Sequence, residues 1–367
     1  MSKKNRTILV ALATLTLLAS VGCAGTQKSD KSGGSLEKVS EVSLAPTIVS
    51  ASDGDDEGGV VHTEDAFREA YEAFEAERYD EAIGEYWRIV EHAPDSRFYR
   101  PSLSNMGLAA ERVERWKTAR EAYRRIVEEF PGDEETNDAF FRLAGALGES
   151  GEPAEAAETL AQLLLRSGLE PYERAEANVR RGELLRRLEK LQDAEHAFRN
   201  ALSIYRKSKG APGLGARSPM VGRASLGLGR VHHQRMGEIA LELPVESMRQ
   251  RLEEKARLVM RAKAAYLDAI RIHDPEVSPA AGYRLGKLFE DFYGGVEEAE
   301  VPDHLTEEQI EIYFQTLRDR IRPVLERAIH VYEKNIDLSR RLEADGETAK
   351  WRQKSRDSLK RVRSLLE

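Results

Sequence analysis

The sequence predicts an all-α chain of about six helical hairpins closed by a terminal helix. Three observations carry this expectation. First, Ala82, Tyr86, Ile89 and Pro94 return 37 residues later as Ala119, Tyr123, Ile126 and Pro131. The same ruler fits at Ala156, Leu160 and Leu163, another 37 on, and at Ala194, Phe198 and Ala201, 38 beyond that. Second, twelve residues before each ruler alanine stand Ala70, Gly107, Ala144 and Gly182, all small, as close approach of two helices within one hairpin requires. Third, no alternating apolar run with a tight Asn-Gly or Asp-Gly turn competes as a strand. Hydrophobic residues at 41% and charged residues at 33% suit helices that are each half exposed.

Residues 1–23 read as an export signal. Lys3, Lys4 and Arg6 precede an uncharged, mostly apolar run from Ile8 to Ala19, and the small residues Ser20 and Gly22 lead to Cys23. The apolar run is shorter than the roughly 20 residues a membrane-spanning helix needs. Cys23 is the only cysteine, so an internal disulfide is excluded. Residues 24–62 hold seven serines, six glycines and no aromatic, a composition that cannot bury enough surface to fold. As a flexible tether this stretch would span about 35 Å on average. Residues 63–206 hold four regular repeats.

Residues 207–347 hold two irregular repeats with insertions. Between Lys207 and Pro219 the glycines and prolines Gly210, Pro212, Gly213 and Gly215 predict a loop. A helix from Val221 to Leu241 follows, then a turn at Pro244 and a long charged helix from about Glu246 to His273, in which Ala262, Tyr266 and Ala269 restore the ruler. The sixth hairpin opens with Tyr283, Leu285, Gly286 and Phe289 and reaches Ala328 and Tyr332 after a second insertion around Gly294 to Thr306. Pro323 should kink or divide that late helix near Arg322. Residues 348–367 predict a capping helix with Trp351, Leu359, Val362 and Leu366 on one stripe.

The segment from Met106 to Leu147, with Gly107, Ala110, Ala119, Tyr123, Ile126, Pro131, Ala144 and Leu147 at their spacings, resembles the tetratricopeptide repeat. The resemblance implies a right-handed α-solenoid (superhelix) whose groove holds a segment of a partner protein, and a scaffold rather than an enzyme. Ser20-Val21-Gly22-Cys23 resembles the lipobox of bacterial lipoproteins, in which the cysteine is acylated and becomes the mature N-terminus. Ser20 stands where that family prefers leucine, so ordinary signal-peptidase cleavage is the alternative. Ala24 lacks the aspartate of inner-membrane retention, which implies an outer-membrane anchor facing the periplasm. Together these features resemble tetratricopeptide lipoproteins that serve cell-envelope assemblies such as secretins, outer-membrane protein assembly or motility complexes. The alternative from another class is a periplasmic cell-wall enzyme or an accessory that regulates one.

The sequence carries no catalytic constellation, in keeping with a scaffold. The loop from Gly210 to Ser218 lacks the lysine and hydroxyl residue of a phosphate-binding loop, Ala216-Arg217 standing in their way. Adjacent His232 and His233 point about 100° apart on a helix and do not share a metal readily. Glu128-Glu129 and Glu253-Glu254 are exposed by phase, and no Gly-x-Ser-x-Gly occurs. No cofactor, metal or small-molecule substrate is therefore expected. A net charge of -8 without a basic domain before the C-terminus disfavours nucleic acid.

By the resemblance, the first helix of each hairpin lines the groove. Ligand-facing positions include Phe67, Tyr71 and Phe74 in the first repeat, Leu108 in the second and Phe141 in the third, which would suit an apolar guest. The alternative is that these aromatics are core, as helical-phase aromatics usually are. Family members that clamp a partner's terminal carboxylate carry lysine and asparagine where this chain has Phe67 and Tyr71, Ser104 and Leu108, Phe141 and Gly145, Val179 and Glu183. That clamp is absent. Between Lys350 and Arg363 seven Lys or Arg face one Asp, which suits either contact with anionic groups or a solvated cap.

Overall fold

The computed structural model describes residues 63–208, 218–301, 305–342 and 346–366. These hold thirteen helices and fall into two compact units, residues 63–190 and residues 191–366. Each unit is an all-α stack of hairpins of solenoid type. Cys23 and the expected tether 24–62 lie outside the described residues, as does most of the expected loop after Lys207.

The first unit contains α1 (Thr63–Glu75), α2 (Tyr79–His92), α3 (Tyr99–Arg112), α4 (Trp116–Glu129), α5 (Thr136–Glu149), α6 (Pro153–Leu165) and α7 (Pro171–Arg187). Each helix packs on the next in the chain. The ruler residues explain the packing: Ala82, Tyr86 and Ile89 of α2, Ala119 and Tyr123 of α4, and Ala156, Leu160 and Leu163 of α6 are all buried. The small residues opposite them are needed, since a Cβ on Gly107 would lie 2.5 Å from the Tyr123 ring. Each first helix of a hairpin stops in the same way. Glu77, Glu114, Gly151 and Glu189 all adopt positive φ, between 56° and 82°. The following amides of Arg78, Arg115, Glu152 and Lys190 donate back to carbonyls five residues earlier, at 2.8–2.9 Å, the bond of a left-handed helix stop.

The second unit contains α8 (Leu191–Lys207), α9 (Pro219–Glu238), α10 (Val245–Ile270), α11 (Val277–Glu297), α12 (Glu307–Arg341) and α13 (Glu347–Ser364). Here α9 pairs with α10, α11 with α12, and α13 covers α11 and α12. The looser register of the sequence is absorbed largely inside helices. In the first hairpin the helices have 13 and 14 residues, whereas α9 and α10 have 20 and 26 and α11 and α12 have 21 and 35. Gly294 and Gly295, expected to open an insertion, lie within α11. The close approach is nevertheless kept: a Cβ on Gly229 would lie 2.6 Å from the Tyr266 ring, and Gly286 faces Tyr332 in the same manner.

Pro323 does not divide the late helix, and α12 runs through it. A proline inside a helix costs about 3 kcal/mol. Leu317 and Ile321 before it and Val324, Leu325 and Ala328 after it are all buried on one continuous face, and burial of that many aliphatic side chains, each stabilising by about 1.5–3 kcal/mol, outweighs the penalty. Pro323 itself is exposed.

Candidate functional site

In the first unit the 37-residue spacing sets equivalent side chains of α1, α3, α5 and α7 in columns: Phe67, Ser104, Phe141 and Val179; Tyr71, Leu108, Gly145 and Glu183; Phe74, Glu111, Gly148 and Arg186. Tyr71 is half-buried, while Phe67, Phe74, Leu108 and Phe141 are only 5–8% exposed. The Phe67 ring lies 5.6 Å from Tyr86 and 5.1 Å from Phe98, and Phe74 meets Tyr79 edge-on at 5.3 Å. These two aromatics thus pack within the hairpins, and Tyr71 between them on α1 is the one that retains open surface. Across Phe141 the Arg180 guanidinium sits 5.1 Å from the ring centroid. A Cβ at Gly145 would meet nothing within 4 Å, and one at Gly148 would only touch Leu184 at 4.0 Å. Beside Phe141, α5 therefore presents a stretch of bare backbone.

A charged ladder, absent from the expectations drawn from the sequence, flanks that stretch. Arg142 of α5 reaches Glu111 of α3 at 2.8 Å and Asp138 one turn back at 3.0 Å, and Arg180 of α7 pairs with Glu176 at 2.5 Å. Burial alone would lower the Arg142 pKa, but the neighbouring Tyr123, Asp138 and Glu111 raise it. The Tyr123 phenol is pushed well above its usual range by burial, with Glu111 adding to the effect. Asp138 and Glu176 occupy one repeat position and Arg142 and Arg180 another, so the ruler applied to polar residues would have found the ladder.

The second unit builds a similar device around its buried tyrosines. Tyr266 Oη lies 3.2 Å from His233 Nδ1, and His233 Nε2 lies 3.1 Å from Asp291 of α11. Lys287 approaches Asp291 at 2.8 Å. Burial would raise the Asp291 pKa, yet hydrogen bonds from His233 and Lys287 hold it below the usual carboxylate range. At the residue before Asp291, Tyr332 donates to Glu290 at 2.8 Å, and the same carboxylate accepts from Arg361 of α13 at 2.8 and 2.9 Å. His232 turns to other neighbours: it is 2% exposed, in the field of Glu195 and Arg199 of α8, and burial lowers its pKa to about 4. The two histidines thus serve separate clusters, and among the described residues no group of three or more His, Cys, Asp or Glu is placed to hold a metal ion. Nor is any described helix long and apolar enough to cross a membrane.

Repeated hairpins that align equivalent side chains in columns, with their polar clusters tied into packing, define a helical-repeat solenoid. The family model described as Tetratricopeptide repeat matches residues 67–134, 104–168 and 141–212, its starts stepping by the same 37 residues as the ruler. Residues 67–212 are thus similar to tetratricopeptide repeats, and proteins of that fold generally act as protein–protein interaction scaffolds. Similar solved structures include the MamA protein, at 17% identity and a TM-score of 0.41, covering 66% of this chain and 96% of that one. A tetratricopeptide repeat protein from Parabacteroides merdae shares 17% identity with a TM-score of 0.39, over 80% of this chain and 98% of that one. The C-terminal part of a repeat-containing protein from Cytophaga hutchinsonii shares 9% identity with a TM-score of 0.42, over 81% and 95%. No curated protein matches the chain.

Proposed function

We propose that this chain is a lipid-anchored scaffold on the periplasmic face of the outer membrane that holds a protein partner during assembly or maintenance of a cell-envelope complex. The observation that carries the reading is the juxtaposition of an export signal ending in a lone cysteine, Cys23, with an array of interaction repeats. Acylation of Cys23 fixes the chain to the membrane, and residues 24–62 give the repeats reach. The guest lies along α1, α3 and α5. Tyr71 supplies the apolar anchor, the edges of Phe67, Phe74, Leu108 and Phe141 line its path, and Gly145 with Gly148 admits a bulky side chain of the guest next to Phe141.

Cell fractionation of Cys23→Ser tests the anchor: the variant should leave the membrane pellet, and full retention would refute acylation. Crosslinking in intact envelopes followed by mass spectrometry of the captured partner tests the scaffold role. Capture should be lost in Tyr71→Ala and in Gly145→Leu, both of which leave the interior of the hairpins untouched. Unchanged capture of the same partner by both variants would remove the groove from this reading.

A further inference from the structure

Charge along the chain is segregated between its first hairpin and its last helix. Residues 63–92 hold ten Asp or Glu against three Lys or Arg, a net charge of -7 in a chain whose total is -8. Between Lys350 and Arg363, seven Lys or Arg face one Asp. Both sets are displayed outward. On α1, Asp65, Glu69 and Glu72 are exposed and spaced four and three apart, so they form one stripe. Arg68 pairs within this helix with Asp65 at 2.6 Å and lies 4.0 Å from Glu72, and one cation against three carboxylates leaves the stripe negative. On α13, Arg356, Lys360 and Arg363 are exposed at spacings of four and three, and Arg352 one turn earlier is half-exposed.

Docking of α13 onto its own unit consumes only part of this positive charge. Its buried face is Thr348, Ser355, Ser358 and Val362. Arg361 is taken by Glu290 and Arg363 by Glu333, and Lys354 lies 4.4 Å over the Trp351 ring. Arg356 and Lys360 form no ion pair among the described residues. The two stripes are therefore similar in length, helical in period and opposite in sign.

We propose that the basic face of α13 binds the acidic first hairpin of a second copy of this chain, in a head-to-tail contact. Such an interface is heterologous, so each copy keeps one acidic and one basic face free for the next and assembly can continue beyond a dimer. Attraction between exposed stripes is long-ranged at low ionic strength and screened by salt. The contact adds no apolar core, so it forms where the chain is concentrated, as it would be on a surface.

The test is light scattering on the purified full-length chain across concentration, at about 25 mM and about 500 mM NaCl, where screening lengths differ roughly fivefold. The expected result is a mass that rises above twice the monomer with concentration in low salt and returns to monomer in high salt. E69K/E72K and R356E/K360E, each with unchanged helical content, should both stay monomeric, because each has lost one of the two complementary stripes. An equimolar mixture of the two variants should associate again. A wild-type monomer at all concentrations in low salt would overturn the proposal. Association that survives in either single variant, or a mixture that stays monomeric, would overturn it too. Binding of the wild type to vesicles of anionic lipid without self-association would assign α13 to a lipid surface instead.

Discussion

Replacing Glu77, Glu114 and Glu189 together by glycine is expected to stabilise the first unit. All three end a helix at φ near 60°, where the Cβ of an L-residue crowds the following carbonyl. That conformation costs a non-glycine residue about 1–2 kcal/mol. Glycine avoids this cost but loses more backbone freedom on folding, about 0.5–1 kcal/mol. The net gain is therefore about 0.5–1 kcal/mol per site. Little is lost with the side chains, since all three glutamates are exposed and form no ion pair among the described residues. Successive stops belong to different hairpins, so the gains should add to about 2 kcal/mol. With a urea dependence of about 1–3 kcal/mol per molar, the midpoint rises by about 1 M. Gly151 provides the internal control. It occupies the same repeat position at φ 82°, and Gly151→Ala should lower the midpoint. Urea unfolding followed by circular dichroism reads both effects. If the triple variant unfolds earlier than wild type, as glycine within an ordinary helix would cause, then the positive φ carries no strain and the reasoning fails.

Three further outcomes follow from the packing. Gly107→Ala should destabilise the first unit by about 1–3 kcal/mol by driving a methyl into the Tyr123 ring, and a double-mutant cycle with Tyr123→Leu should show a coupling of at least about 1 kcal/mol, because the shorter side chain relieves the clash. His232 has a folded pKa of about 4 against about 6.5 unfolded, so the unfolded chain binds the extra proton between these values; the second unit should lose about 3 kcal/mol as pH falls from 6.5 to 4, and His232→Gln should flatten that loss in denaturant titrations across pH. Tyr71→Ala should shift the melting temperature little, whereas Phe67→Ala should cost about 3–5 kcal/mol as a buried aromatic contacting Tyr86 and Phe98; equal losses at the two positions would contradict the distinction between open and packed aromatics.

Hairpin number, helix type and the buried ruler were legible because they rest on periodicity, which a packed repeat must keep. Gly107 and Ala119 had to be small and Tyr123 had to be large wherever the helices meet, and the structure shows the contact that enforces it. The second unit was less legible because its helices lengthen between fixed points. Gly229 meets Tyr266 as Gly107 meets Tyr123, but the two partners are separated by 37 residues instead of 16, and no short-range pattern reports that equivalence. Pro323 misled for a related reason. Local propensity opposes a helix there, while the burial that overrides it comes from side chains on both sides and from partners far away in the chain.

The candidate groove shows where a repeat register stops being informative. Register assigns Phe67, Tyr71 and Phe74 to one helix and to neighbouring positions, yet it does not distinguish an aromatic that faces a guest from one that packs on Phe98 or Tyr79. That difference depends on whether the next hairpin offers a partner ring, and Phe98 precedes the first residue of its helix, outside any ruler position. Polar residues carried the complementary signal. Glu111 stands in the same column as Phe74, Asp138 and Glu176 share a repeat position of their own, and the structure ties the three to Arg142 and Arg180 around Phe141. The groove proposed here, floored by Tyr71 and bare helix backbone and walled by paired charges, would select for a guest with one bulky apolar side chain and a polar flank. Exchange of Glu111 and Arg142 for each other, with Asp138→Asn so that the new glutamate meets no like charge, should therefore preserve folding while changing which guests bind, and retention of the original guest at full strength would show that the ladder serves packing alone.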